Sequence, residues 1–279
     1  MNRHRDDVEL LLDHVRPVQA RTRMTRLPFF KVVLITLEEA VRAVVGLARG
    51  RANLELGDEL LRDWWPRVFR SGNASLRARG RAHFVPGQAY VVMSNHCSAL
   101  DIPAIVGAVP ASVRMVTKQE LINVPLWGYA MHKCGFVPVD RKNRVKAIHQ
   151  LDEAKALLRK GVCVWISPEG TRSRDGKLAS FKKGGFHLAF DLGVPIVPAW
   201  VDGTEGIIAA ARLNAREDGE VEVRFGAPIA TAGLGKADMK PMMAEVRARI
   251  LALSGRAAQV DAEVGAVADV VRPRVRKAS

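Results

Sequence analysis

Ala89-Tyr90-Val91-Val92-Met93-Ser94-Asn95-His96-Cys97-Ser98-Ala99-Leu100-Asp101 decides how this chain folds. From Ala89 to Ser94 the run is apolar with no polar alternation, the pattern of a strand buried on both faces. It breaks at a polar turn and reopens at Ala99 into helical spacing that lasts to about residue 109. A buried strand that gives way directly to a helix is the opening of a strand–helix–strand unit.

The segments around it repeat the alternation. Apolar runs at 113–116, 135–139, 162–166 and 195–200 and the alternating Glu220-Val221-Glu222-Val223-Arg224-Phe225 predict further strands. Helical patterns lie between them at 144–160 and 184–192, with a last one at 237–253. The fold class is therefore α/β, a largely parallel mixed sheet flanked by helices.

Residues 1–60 have a different character. Val8, Leu11, Leu12 and Val15 space out a short helix that ends near Pro17, and a basic joint with Arg21, Arg23 and Arg26 follows. Residues 27 to about 50 carry a longer helical pattern. At 100° per residue, Lys31, Glu38, Arg42 and Arg49 share one narrow stripe, while Phe29, Phe30, Val33, Leu34, Leu37, Val41, Val44 and Val45 cover most of the rest. Such a helix suits the lipid interface, and it suits packing on the main domain equally well. The domain reading is an N-terminal amphipathic helical pair over 1–60, the α/β domain over 61–256, and a basic tail over 257–279 that ends Arg272-Pro273-Arg274-Val275-Arg276-Lys277.

Composition narrows the partners. The chain carries 48% hydrophobic residues and a formal charge of +14, so it can bury a core and should attract anionic surfaces or phosphorylated ligands. Aromatics are only 6%, the basic residues are spread along the chain, and no nucleic-acid module is present, so nucleic acid is not an expected partner. Cys97, Cys134 and Cys163 lie far apart with neither disulfide nor zinc spacing. The charged start carries no signal-peptide pattern. No uninterrupted apolar run reaches about 18 residues, so a protein of this sequence that works on lipid is expected to lie on the membrane.

The chemistry-bearing residues sit where strands end, the place at which open α/β sheets bind ligands. His96 would project from the turn after the first buried strand, with Asp101 in the first helical turn close enough to orient its imidazole. Ser98-x-x-Asp101 is also a capping-box pattern, which would account for the aspartate without catalysis. Ser167-Pro168-Glu169-Gly170-Thr171-Arg172-Ser173 follows another strand and offers a glycine for close approach and an arginine fork for phosphate, or simply an ordinary turn. Arg141 follows a third strand. A phosphate loop is excluded at Gly170–Lys177, where five residues intervene between the glycines and Leu178 stands in place of Ser/Thr; G-x-S-x-G and metal-ligand motifs are absent.

In order along the chain, Asn95-His96…Asp101, Lys118-Gln119-Glu120-Leu121, Pro125-Leu126-Trp127-Gly128, Gly135 to Asp140-Arg141, Pro168-Glu169-Gly170-Thr171-Arg172-Ser173, Phe181-Lys182-Lys183-Gly184 and Val194-Pro195-Ile196-Val197-Pro198 resemble the motifs of the PlsC-like glycerolipid acyltransferases, the 1-acylglycerol-3-phosphate acyltransferase superfamily. The resemblance covers roughly residues 75–230 and implies that fold. It implies that His96 acts as general base on an acceptor hydroxyl with Asp101 orienting it. Asn95, Lys118, Arg141, Glu169, Gly170, Thr171 and Arg172 would bind substrate, the arginines and Lys118 on phosphate. The implied acceptor is lysophosphatidic acid or a related lysolipid. The donor is acyl-CoA or acyl-carrier protein as co-substrate, with no metal or cofactor. The implied location is the cytoplasmic face of the cell membrane, peripheral or monotopic, on an anionic surface. The alternatives are another lysolipid or glycerol 3-phosphate as acceptor, or a membrane-binding protein without catalysis. Many members carry Phe before P-E-G-T-R where this chain has Ser167, which leaves the acceptor open.

Overall fold

The computed structural model describes residues 24–25, 27–140, 144–173, 175–207, 215–216 and 219–255. The helix expected near 8–15, Arg141 and the basic tail lie outside the described residues. In chain order the elements are β1 (Met24–Thr25), α1 (Leu27–Ala48), α2 (Leu54–Ser71), β2 (Ser75–Arg79), β3 (Val91–Ser94), α3 (Asp101–Ala108), β4 (Val113–Lys118), α4 (Gln119–Ile122), α5 (Trp127–Lys133) and β5 (Val137–Val139). They continue with α6 (Arg144–Arg159), β6 (Cys163–Ile166), α7 (Gly184–Leu192), β7 (Ile196–Asp202), α8 (Thr204–Ile207), β8 (Ala215–Arg216), β9 (Glu220–Phe225) and α9 (Met239–Ser254).

Seven strands form one sheet in the order β2-β9-β7-β3-β6-β4-β5, and β1 pairs separately with β8. All neighbours in the large sheet are parallel except β7 and β9, so the expected largely parallel mixed sheet is the one observed. β3 is the middle strand, and Val91 and Met93 enter the core on one face while Val92 enters the core on the other. That two-sided burial is why its sequence is an unbroken apolar run. Because β3, β4, β5, β6 and β7 all run the same way, their carboxyl ends share one edge of the sheet.

Besides the short pieces β1, α4, α5, α8 and β8, two elements, α2 and β2, were not expected from the sequence. The stretch around Trp64-Trp65-Pro66 is helical: α2 is capped by Asn53, whose side chain accepts from Leu56 N at 2.9 Å, and it buries Leu56, Leu60, Leu61, Val68 and Phe69. Pro66 lies inside it, and a proline that breaks one helical hydrogen bond hides a helix whose stability comes from packing. The expected domain boundary at 60/61 falls within this helix. β2 is a charged edge strand whose outward Arg77 and Arg79 pair with Glu220 and Glu222 of β9, and such charges blunt an edge while concealing the strand.

The polar stripe of α1 turns toward α2. Arg42 Nη1 lies 2.7 Å from Glu39 Oε2 and 3.0 Å from Asp63, and Arg67 of α2 pairs with both Glu39 and Glu38. Trp64 Nε1 donates to Thr36 Oγ1 at 3.1 Å. Val33, Leu34, Leu37, Val41 and Val45 are left exposed on the outside, Leu34 by 65%. The helix thus packs inward through Val32, Ile35, Ala43, Val44 and Leu47 together with these ion pairs, and presents a second apolar strip outward.

Arg114, on β4, ties this helical pair to the sheet. It is fully buried. Its Nε donates to Cys134 O at 2.7 Å, Nη1 donates to Asp58 Oδ1 at 2.6 Å and Val113 O at 3.0 Å, and Nη2 donates to Leu54 O at 2.6 Å. A Cβ on Gly57 would sit 2.6 Å from Cys134 O and 2.7 Å from Arg114 Nη2, so only glycine gives the guanidinium its space. Arg114→Met removes the donor from the Cys134 and Leu54 carbonyls and leaves Asp58 only the Ser112 hydroxyl. It is expected to lower the unfolding free energy by about 3–5 kcal/mol, read by urea denaturation; a loss under about 1 kcal/mol would show that the clamp is dispensable.

Candidate active site

The turn after β3 and the first residue of α3 bring His96 and Asp101 together. His96 Nδ1 lies 2.7 Å from Asp101 Oδ2, and the same oxygen accepts from Cys97 N at 2.7 Å and Ser98 N at 2.9 Å. Since the carboxylate oxygen accepts, Nδ1 carries the hydrogen and the lone pair of Nε2 is available to take a proton. The capping pattern and the orienting role prove to be the same contact network. Asp101 reaches back to the Ser98 N–H as a cap does and holds the imidazole at the same time.

Asp101 is completely buried, and its second oxygen accepts from the hydroxyl of Thr204, also completely buried, at the start of α8. The Trp165 ring stands edge-on to His96 at 5.4 Å between centroids, and its Nε1 donates to Ser94 Oγ at 2.9 Å. These contacts come from β6 and from the end of β7, far from the His96 turn in sequence and without a local motif to announce them. Only the apolar run of each strand foretold that its end would arrive here.

Two residues expected to touch substrate are committed elsewhere. Asn95 is buried, and its side-chain amide both donates to Val201 O at 2.8 Å and accepts from Val201 N at 2.8 Å, docking the turn onto β7. Glu169 is buried as well: its two oxygens accept from His96 N at 3.1 Å and Ala179 N at 2.8 Å. Burial pushes its carboxyl above the usual range, and the N–H donors of Ala179 and His96 pull it back part of the way. Ser173 N donates to His96 O at 2.7 Å, so the 167–173 loop grips the histidine backbone from both sides. Through these contacts Asn95 and Glu169 hold the turn that carries His96.

The remaining predicted groups stand open. Thr171 and Arg172 are exposed after β6, and Lys118 is exposed at the end of β4, on the same edge of the sheet. Gly170 has φ +73°, and a Cβ there would meet the Lys182 side chain at 3.3 Å. Ser167 Oγ is buried with no hydrogen-bond partner among the described residues. Cys97, beside the histidine, is not a nucleophile: burial and the nearby Asp101 charge push its thiol up to about 12.

A family model described as acyltransferase matches residues 75–202, which contains β3, the His96–Asp101 pair and the 167–173 loop. The 1-acyl-sn-glycerol-3-phosphate acyltransferase of Salmonella typhimurium is 31% identical over 175 residues, spanning 62% of this chain and 69% of that protein. The chain belongs to this acyltransferase family. The mouse 1-acyl-sn-glycerol-3-phosphate acyltransferase alpha is 35% identical over 179 residues, spanning 64% of this chain and 63% of that protein. The chain thus spans slightly less than two thirds of such mammalian relatives. The crystal structure of the 1-acyl-sn-glycerophosphate (LPA) acyltransferase PlsC from Thermotoga maritima superimposes with a TM-score of 0.61 at 26% identity, covering 82% of this chain and 98% of that one.

In this acyltransferase-family chain two supports of the site fall beyond the matched stretch. One is Thr204. The other is Arg247 of α9, whose Nη1 and Nη2 donate at 2.7 Å to Ala179 O and Leu178 O, fixing the segment whose amide holds Glu169. Thr204→Val leaves Asp101 Oδ1 buried without this donor and is expected to cost about 1–3 kcal/mol of stability by urea denaturation, with Thr204→Ser, which keeps the hydroxyl, retaining most of it; unchanged stability in Thr204→Val would show that the hydroxyl contact is dispensable. The thiols give a second expectation. Cys163 is pushed up to about 11 by burial, and all three cysteines are buried. A thiol with a raised pKa stays protonated and unreactive until the pH climbs toward that value, so iodoacetamide at about pH 8 should label none in the folded chain and all after denaturation, counted by mass spectrometry.

Proposed function

We propose that this chain transfers a fatty acyl group from an acyl thioester to the free hydroxyl of 1-acyl-sn-glycerol 3-phosphate, giving phosphatidic acid. The observation that carries the reading is the His96 imidazole, held by Asp101 in the tautomer that leaves Nε2 basic, on the sheet edge that also presents Lys118 and Arg172. The names of the relatives point to the same acceptor.

Nε2 of His96 removes the hydroxyl proton as the oxygen attacks the thioester carbonyl. The imidazolium that forms is stabilised by Asp101. When the tetrahedral intermediate collapses, the C–S bond breaks and the proton passes to the departing thiolate, so acyl transfer is direct and needs no acyl-enzyme. General-base catalysis of this kind contributes about 10²–10⁴-fold. Lys118, Arg172 and Arg141 bind the acceptor phosphate, with Thr171 and Gly170 lining its loop. Acyl-CoA and acyl-carrier protein both supply the required thioester.

The proposed setting is a membrane surface. Among the described residues no helix is long and apolar enough to cross a membrane. The outward apolar face of α1, backed by ion pairs to α2, suits a helix lying in the lipid interface on the cytoplasmic side. A charge of +14 favours anionic headgroups, each basic residue near the surface adding about 1 kcal/mol.

The test is transfer from labelled acyl-CoA, then from acyl-carrier protein, to lysophosphatidic acid, glycerol 3-phosphate and other lysophospholipids on anionic vesicles. Turnover with lysophosphatidic acid is expected to fall at least about 10²-fold in His96→Ala with vesicle binding unchanged. Transfer only to a different acceptor would reassign the substrate. Full activity in His96→Ala, or lipid binding without transfer from either donor, would overturn the mechanism.

A further inference from the structure

The hairpin between β4 and β5 has a buried side and an apolar exposed side. Inward, Ala130 and Cys134 pack with Ala43 of α1 and with Leu56 and Leu60 of α2. Outward, Leu121, Val124, Leu126 and Tyr129 are exposed, Leu126 by 65% and Tyr129 by 52%. Exposed apolar residues grouped on one short element mark a contact surface more than scattered ones do.

The backbone shows that the exposure is built in. Leu126 has φ +60° and ψ −54°, and Trp127 N donates to Pro125 O at 2.6 Å, which together form the rare γ-turn of positive φ. Glycine would adopt this conformation without strain, yet leucine occupies it. The turn is pressed against α4 so closely that a Cβ on Gly128 would lie 1.9 Å from Ile122 O. A strained residue whose large apolar side chain gains no core burial calls for another solvent.

The occupant is indicated by position and charge. Through Ala130 the hairpin is joined to α1, whose outward face is also apolar. Exposed Lys118 and Lys133 stand at its two ends, and Lys133 Nζ lies 5.4 Å from the Tyr129 ring centroid. The acids nearby are Glu120, exposed on α4, and Glu153, which is engaged by His132. An apolar tip with a tyrosine and flanking lysines is the composition of an interfacial anchor.

We infer that the α4–α5 hairpin is a second lipid-contacting surface, with Leu126 at its tip inserted into the bilayer interface beside α1. The inference rests on the membrane-surface reading above. It places Lys118, at the base of the hairpin, among the headgroups from which a lipid phosphate is drawn.

The test attaches an environment-sensitive fluorophore to Leu126→Cys, Leu34→Cys and the exposed loop position Lys236→Cys of the full chain. Each is mixed with phosphatidylcholine–phosphatidylglycerol vesicles, with or without brominated acyl chains. The expected result is a blue shift and bromine quenching at positions 126 and 34 and silence at 236. A response at 34 without one at 126 overturns the hairpin contact and leaves the α1 reading standing; silence at both removes the membrane reading with it. Equal response at all three sites would mean nonspecific adsorption and also overturns the inference. Leu126→Gly separates folding from contact: relief of the turn should raise Tm while vesicle affinity falls roughly tenfold, and unchanged affinity would count against the proposal.

Discussion

One carboxylate oxygen gathers the imidazole of His96 and the amides of Cys97 and Ser98 around a completely buried aspartate. An ionised group in that position is sustained only if its lone pairs are met by fixed donors. Asp101 therefore imposes terms on its surroundings. The turn after β3 must present its amides inward, β7 must deliver Thr204, and Asn95 must pin the turn to the backbone of Val201. The end of the central strand, the end of β7 and the first turn of α3 are drawn together by what one side chain requires.

The histidine is restrained through its backbone as firmly as through its ring. Glu169 accepts from its amide, Ser173 donates to its carbonyl, and Arg247 on the last helix steadies the segment that supports Glu169. The proposed base is thus positioned by elements spread from β3 to α9. Placement within a fraction of an ångström is what proton transfer needs, and backbone clamps supply it with little side-chain entropy to lose.

Much of this was legible in the sequence because strands buried on both faces leave unbroken apolar runs, and the residue after such a run must sit at the sheet edge. That logic located His96, Asp101 and the 167–173 loop, while Lys118 followed from the family resemblance. It did not show that Asn95 and Glu169, expected to bind substrate, also hold the turn through backbone contacts. Thr204 was invisible because its partner lies 103 positions away and nothing local marks it. α2 was hidden by Pro66, since a pattern weighted by propensity discounts a helix that tertiary packing stabilises. The two readings of α1 were not exclusive: the charged stripe that seemed made for water is satisfied by Asp63 and Arg67.

That arrangement of α1 also governs how the protein behaves as a colloid. Ion pairs and the inward packing of Val32, Ile35 and Ala43 fix the rotation of the helix, so among the described residues Leu34, Leu37 and Val41 stay turned outward. In lipid-free buffer the same apolar strip on another copy is one surface that can cover them, so particle size is expected to fall on dilution or on adding an amphiphile. Colloidal behaviour in plain buffer is in that sense a property of the solvent the helix has been denied, and it is expected to respond to detergent or lipid, which cover the strip, more than to moderate salt.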